Sequence, residues 1–297
     1  MKERIVFIIN PISGKGKGKK LQPIIEDFFK EKDFEIITRF TEYEGHSFQI
    51  INEEIIENPS IIVACGGDGT INEVAQNLVG KSIPLGIIPI GSGNGLASNL
   101  KISKNFTKAL EIILDKHICS IDVGVMNGKY FFSNLGFGID ATVIHRYSSQ
   151  KKRNFIGYFK ASIWSFLNFK PLSFQIEVDD VSLKNKQYFF ILCSNSNEAG
   201  YGISFNPMAK LDDQKLDILC VEKLNLFEMF IFSISVLFNR IYKMKKAFIH
   251  QGESMTFISN KDSFIAQMDG EPVLISNNRA VVSLLPHALN VITPRVN

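Results

Sequence analysis

The sequence predicts an α/β domain followed by a β domain: a parallel sheet with helices on both faces, then an antiparallel β-sandwich. Three observations predict it. Apolar runs alternate with helix-like segments through roughly the first 120 residues. Those runs are apolar through most of their length rather than at alternate positions, as strands buried on both faces must be. After about residue 121 the texture changes to short strand-like runs separated by turn formers, the pattern of a sandwich or barrel.

Residues 4–9 (RIVFII) read as a buried strand, followed by a Gly/Lys loop and a helix over 19–32. Residues 34–40 make a second strand and 47–58 a second helix. The third strand, 60–64 (SIIVA), runs into GGDGT and a helix over 71–78. The fourth, 85–89 (LGIIP), precedes another glycine loop and helices up to residue 114. In the second part, strands are expected at 129–134, 173–178, 188–194, 216–221, 254–258, 264–268 and 280–284, with amphipathic segments at 151–168 and 226–246. Residues 1–121 therefore form the α/β domain and 122–287 the β domain, while 288–297 is expected to return to the first as a strand.

Composition excludes several classes. A net charge of +3 over 297 residues falls well short of the single-sign excess that argues for nucleic acid. Cys65, Cys119, Cys193 and Cys220 lie far apart in apolar runs without a C-x-x-C pair, against a zinc site or disulfide framework. Such thiols fit an intracellular protein. The longest apolar stretch, 229–238, is about half of the ~20 residues that a membrane span needs. The expected location is cytoplasmic.

Glycine-rich loops follow three of the predicted parallel strands: NPISGKGKG (10–18), GGDGT (66–70) and PIGSGNG (89–95). Loops at the carboxyl ends of parallel strands converge, and glycines let backbone N–H groups approach an anion beside a helix N-terminus. One such loop is usually a tight turn; three together point to a polyphosphate. No Walker A loop is present. Asp68 repels a phosphate, so its chemical roles there are to hold Mg2+ or take a proton, with a helix-capping turn as the alternative.

NPISG (10–14), GGDGTINE (66–73), PIGSGNGLA (89–97), GFGID (136–140) and DGE (269–271) occur in that order. Together they closely resemble the diacylglycerol kinase catalytic family, which includes sphingosine and ceramide kinases and bacterial soluble lipid kinases. GGDGT alone is shared with NAD kinases and phosphofructokinase-like enzymes. The resemblance spans nearly the whole chain. It implies an NAD kinase/phosphofructokinase-like domain that binds ATP, a β domain for the lipid and a cleft between them, with ATP and Mg2+ as cofactors. Asn10, Ser13 and Gly14 would then touch the nucleotide, and Thr41 would lie near the adenosine. Gly66, Gly67, Asp68, Gly69, Thr70 and Asn72 would cradle the phosphates, with Glu73, Ser92 and Asn94 also among the ATP-binding residues. Glu271 or Asp269 would be the general base on the lipid hydroxyl, Glu271 ranking first, while Asp68 organises Mg2+. A structural Mg2+ would take the side chain of Asp213 and the carbonyls of Lys210 and Lys215.

Two positions depart from the family pattern. Gln214 stands where glycine is usual, which costs strain if that residue needs a positive φ. Gly95 stands where bacterial diacylglycerol kinases usually carry an acid, as in the sphingosine kinase branch, which weakens diacylglycerol as the acceptor.

Two segments join apolar faces to basic clusters. Lys151, Lys152 and Arg153 precede Phe155, Tyr158, Phe159, Ile163, Trp164, Phe166 and Leu167, while 226–238 precedes Arg240, Lys243, Lys245 and Lys246. They suit an anionic membrane surface or an acyl groove, or else ordinary core-facing helices. The expectation is an ATP-dependent lipid kinase acting on a diacylglycerol or sphingoid-type hydroxyl, peripheral to an anionic membrane and without nucleic acid. A homodimer stays open. The alternatives are a NAD-kinase-like enzyme on a soluble nucleotide, or a catalytically weakened lipid-binding regulator.

Overall fold

The unbroken apolar runs become the middle of a parallel sheet. In the computed structural model, which describes residues 2–149, 155–183, 185–197 and 204–295, two units divide the chain: Met1–Val123 with Pro286–Asn297, and Gly124–Leu285.

In the first unit β1 (Glu3–Ile9), α1 (Ser13–Gly16), α2 (Leu21–Phe29), β2 (Phe34–Phe40), α3 (His46–Ile55), β3 (Ile61–Gly66), α4 (Asp68–Leu78), β4 (Leu85–Pro89), α5 (Gly95–Asn99), α6 (Phe106–Asp115) and β5 (Ile118–Met126) follow in order. The strands pair in parallel as β2-β1-β3-β4. Residues 5–9 are all fully buried, because alternate side chains serve opposite faces. Ile5, Phe7 and Ile9 pack with Leu21, Ile25 and Phe29 of α2 and with Ala109, Leu110 and Ile113 of α6. The expected helix at 71–78 starts earlier, at Asp68, because extended Gly67 ends the strand and the chain turns helical at once.

In the second unit β6 (Lys129–Phe131), β7 (Asn134–Gly138), α7 (Ile139–Ser148), α8 (Phe155–Asn168), β8 (Leu172–Val178), β9 (Val181–Ser182), β10 (Lys186–Ser194), β11 (Leu216–Glu222), α9 (Leu226–Leu237), β12 (Ala247–Gly252), β13 (Ser254–Ser259), β14 (Phe264–Met268), β15 (Glu271–Ile275) and β16 (Arg279–Ile292) follow. The pivot is β10. Its first residues pair with β8 and its last with β7, while β11 and then β12 run along its other edge. One branch continues through β14 to β15, the other through β13 to β16, all antiparallel. Phe137 of one branch meets Phe174 and Phe257 of the other at centroid distances of 5.8 and 4.6 Å, so the branches face each other as a sandwich. A bulge between Tyr188 and Phe190 lets Phe189 and Phe190 both join the cluster beneath α7, α8 and α9.

Residues 286–297 belong to the first unit. Val291 pairs with Leu85 of β4, the Thr293 N–H donates to the His117 carbonyl at 2.9 Å, and the His287 N–H donates to buried Asp122 at 2.8 Å.

Candidate active site

The three glycine loops end three neighbouring strands and are bonded to one another. The Asn10 N–H donates to the Cys65 carbonyl at 3.0 Å and the Ile90 N–H to the Gly66 carbonyl at 2.8 Å. Side chains add to this. Asn10 Nδ2 donates to Thr70 Oγ1 at 3.1 Å, and Asn10 Oδ1 accepts the Ile12 N–H at 3.1 Å, fixing the first loop against α4. Gly14 follows at φ +59, and a Cβ there would lie 2.4 Å from Ile90 Cγ2, so only glycine fits. Ser13 opens this turn, and its N–H donates to the Asn10 carbonyl at 3.3 Å.

Asp68 closes the second loop on the third. Its Oδ2 accepts the Asn94 N–H at 2.8 Å and its Oδ1 the Gly95 N–H at 2.7 Å. One bond per oxygen leaves each a lone pair for a cation. Asn94 is buried at φ 56 and donates Nδ2 to the Gly91 carbonyl at 2.6 Å. Gly95, the departure from the family pattern, therefore supplies a backbone donor at the place where an acid is usual. Asn72 and Ser92 lie on α4 and in the third loop, and both hold polar or charged partners. Thr41 is buried and its N–H continues the sheet to the Ile9 carbonyl at 2.9 Å.

Glu73 joins two helices. Its Oε1 accepts the Gly45 N–H at 3.0 Å and its Oε2 the Ser47 hydroxyl at 2.6 Å. The carboxylate thus holds the start of α3 against α4 and supports the loop next to Thr41.

In the second unit the DGE motif is a hairpin tip. Asp269 at φ 49 and Gly270 at φ 83 form a two-residue turn of the type I′ kind between β14 and β15. Asp269 anchors the tip. Its carboxylate accepts the N–H groups of Phe132, Ser133 and Asn134 at 2.8, 2.8 and 3.0 Å, which commits its lone pairs to the backbone. Glu271, next along, is exposed at the first position of β15.

Sequence reasoning assigned no role to Asp140 and did not single out Gln267, whose roles only tertiary structure reveals. Asp140 lies in the first turn of α7; the residue is partly exposed, but Oδ2 is sealed from solvent without a hydrogen-bond partner. Burial pushes its carboxyl up to about 6, partly opposed by the nearby Gln267 amide. A carboxyl whose folded pKa exceeds its unfolded one lowers stability as the unfolded chain ionises while the folded group stays protonated. The penalty is absent below about pH 4 and complete above about pH 6. Asp140→Asn is accordingly expected to gain up to about 2 kcal/mol at pH 8 and almost nothing at pH 4, measured by urea unfolding at both pH values.

At the candidate structural cation loop, Gln214 does take a positive φ, 62°, and Asp213 Oδ1 accepts the Lys215 N–H at 3.2 Å. The turn that glycine usually makes is thus formed by glutamine, at a cost of about 1 kcal/mol. A carboxylate with the Lys210 and Lys215 carbonyls is an all-oxygen donor set, which suits Mg2+. Among the described residues, no three His, Cys, Asp or Glu side chains converge on a cation position.

A model of the diacylglycerol kinase catalytic domain matches residues 4–126. A diacylglycerol kinase of Staphylococcus saprophyticus is 31% identical over 234 residues, 77% of this chain and 76% of that protein. The chain belongs to the diacylglycerol kinase catalytic family. A second model, the YegS C-terminal NAD kinase beta sandwich-like domain, matches residues 133–293 of this family member. A diacylglycerol kinase of Staphylococcus haemolyticus is also 31% identical, over 75% of this chain and 68% of that protein. Among solved structures, a putative diacylglycerol kinase from Bacillus anthracis shares the fold of this kinase with a TM-score of 0.83 at 22% identity, over 99% of this chain and 96% of that one. An NAD kinase from Archaeoglobus fulgidus in complex with ATP shares it more distantly, with a TM-score of 0.54 at 14% identity over 98% and 93% of the chains.

Proposed function

We propose that this kinase transfers the γ-phosphoryl group of ATP to a hydroxyl of a membrane lipid, with diacylglycerol the first acceptor to test. The observation that carries this reading is the Asp68 clamp: one carboxylate bonded to both Asn94 and Gly95 N–H groups makes the second and third loops a single cradle. Backbone N–H groups of such loops bind phosphate oxygens, and the first turn of α4 adds the positive end of its dipole. Mg2+, held by Asp68 and the nucleotide phosphates, would neutralise charge as the phosphoryl group moves. Glu271 takes the proton of the attacking hydroxyl, a role for which an exposed carboxylate on a fixed hairpin is suited.

The lipid must be met at a surface. Leu226, Phe227, Phe230, Leu237 and Phe238 are each at least 63% exposed on and just after α9. Arg240, Lys243 and Lys245 follow, all exposed, while the single acid of the helix, Glu228, is paired with Lys246 at 2.7 Å. Apolar side chains flanked by exposed cations match an anionic bilayer, at which the kinase would act as a peripheral cytoplasmic protein. On α8, Ile163, Trp164 and Leu167 are exposed, whereas Phe166 packs inward on Phe189. Lys151, Lys152, Arg153 and the side chains of Phe155, Tyr158 and Phe159 lie outside the described residues. No described helix is long and apolar enough to cross a membrane. The double substitution Phe227→Asp, Phe230→Asp is expected to weaken binding to anionic vesicles by about tenfold or more, while leaving turnover of a short-chain, water-soluble diacylglycerol unchanged. Sedimentation with vesicles and a soluble-substrate assay separate the two.

The deciding experiment supplies radiolabelled ATP with vesicles of diacylglycerol, monoacylglycerol, ceramide, sphingoid base or phosphatidylglycerol, and with NAD in solution. Label in a lipid supports the reading and names the acceptor. Label in NAD alone overturns it in favour of a soluble nucleotide, and lipid binding without any turnover favours a regulator.

A further inference from the structure

Three successive residues of the first glycine loop run left-handed. Gly14, Lys15 and Gly16 hold φ 59, 61 and 85, and the Gly16 N–H donates to the Ile12 carbonyl at 3.1 Å. Residues with a Cβ enter this region singly, often just past a helix, because the Cβ there crowds the following carbonyl. Lys101 and Lys116 do so after α5 and α6. Lys15 is different. It is the middle of a run whose other members are glycines, and glycine would hold the same backbone without crowding.

Both ends of this turn are pinned. Gly14 lies against Ile90, and Gly18 lies against the Asn10 carbonyl, from which a Cβ would be only 2.1 Å away. Ile90 directly precedes the third loop, whose Asn94 and Gly95 N–H groups Asp68 holds. Lys15 therefore stands one residue from the contact between the first and third loops, and it is exposed. Lys17, Lys19 and Lys20 are exposed too, but none of them takes a positive φ.

Charge gives the strained position a use. A nucleotide polyphosphate keeps negative charge after one Mg2+ has bound, and Asp68 adds more. Backbone N–H groups and the α4 dipole answer it with partial charges only. Lys15 brings a full charge on a flexible four-carbon stem.

We propose that Lys15 is a catalytic residue of the phosphoryl transfer: its ammonium meets the terminal phosphate oxygens and stabilises the charge that builds on them, keeping its proton throughout. The strained backbone is held because it delivers this side chain to the cradle. The proposal rests on the reading of the glycine loops as a nucleotide-phosphate site.

The test uses the full chain, with calorimetric ATP binding, turnover of the acceptor found above, sedimentation with anionic vesicles, and thermal melts. Lys15→Met keeps the stem and loses the charge. It is expected to lower kcat roughly 10²-fold and ATP affinity about tenfold, with the lipid KM and vesicle binding within about twofold of the parent. Lys15→Arg should recover most of the lost rate. Lys15→Gly should be as slow as Lys15→Met, yet melt at or above the parent temperature, since relief of the crowding offsets its looser unfolded chain. Normal kcat in Lys15→Met, with a parent that binds ATP, overturns the proposal alone. So does Lys15→Arg as slow as Lys15→Met, or a loss confined to vesicle binding, which makes the residue a membrane contact. A lower melting temperature in Lys15→Gly also overturns it, by giving the side chain a structural job. No ATP binding by the parent overturns the reading of the loops and the proposal with it.

Discussion

Replacing Asp68 with alanine is expected to lower kcat by roughly 10³-fold or more, and to loosen the site as well as empty it. Two effects combine. The carboxylate is the one acid within the three glycine loops, which the proposed mechanism gives a phosphate-bound cation to hold, and it also accepts two backbone N–H bonds from the third loop. Charge-assisted bonds of this kind are worth about 1.5–3 kcal/mol each. Asp68→Asn separates the effects, since one amide oxygen still accepts one N–H while the charge is gone. Turnover should fall in both variants, whereas the melting temperature and ATP affinity should fall mainly in Asp68→Ala. Calorimetric ATP binding, thermal melts and initial rates on the pair report this, and a folded Asp68→Ala protein with normal turnover would sink the mechanism.

The second large effect is expected at the hairpin tip. Glu271→Gln should reduce kcat about 10²- to 10⁴-fold with no loss of stability, because the side chain is exposed. Asp269→Asn should do the reverse. Its carboxylate binds three N–H groups, so the amide is expected to cost about 2 kcal/mol in urea unfolding while leaving most of the turnover. If the rate collapses in Asp269→Asn and survives in Glu271→Gln, the assignment is inverted.

The parallel half of the molecule was legible because its signals are local. The strand at 85–89 is an apolar run and the strand at 34–40 is built mostly of aromatic and β-branched residues, and both fold with those bounds. The second half hid several elements. The strand Asn134–Gly138 carries an asparagine and two glycines, poor β formers that are tolerated because Gly136 and Gly138 admit Asp140 and the Phe189 carbonyl at close range. The strand Glu271–Ile275 contains Pro272, which demotes a strand in sequence but sits comfortably at a sheet edge. Lys243, Lys245 and Lys246 read as a helix continuing to 246, whereas α9 ends at Leu237 and a new strand begins at Ala247.

The site divides in the same way. Spacing alone marked Asp68 as the acid of a phosphate loop, but its bonds to Asn94 and Gly95 depend on strand order, which no motif states. Asp269 and Glu271 are two residues apart on one motif and chemically alike. The convergence of three N–H groups on Asp269 is what sets the two apart in the structure, and it is why Glu271 is the proposed base.

The pairing of Val291 with Leu85 also sets a timetable for synthesis. A ribosome delivers β1 to β4 first, yet the neighbour that covers the outer edge of β4 lies about two hundred residues downstream. At about 5–20 residues per second that is a wait of roughly 10–40 s. Throughout it, β4 presents unpaired N–H and C=O groups of the sort that recruit strands from other chains. The nascent kinase therefore passes through a state in which its phosphate-loop strands are made but their sheet is unfinished, and an intact second unit must be spun out before the first can close.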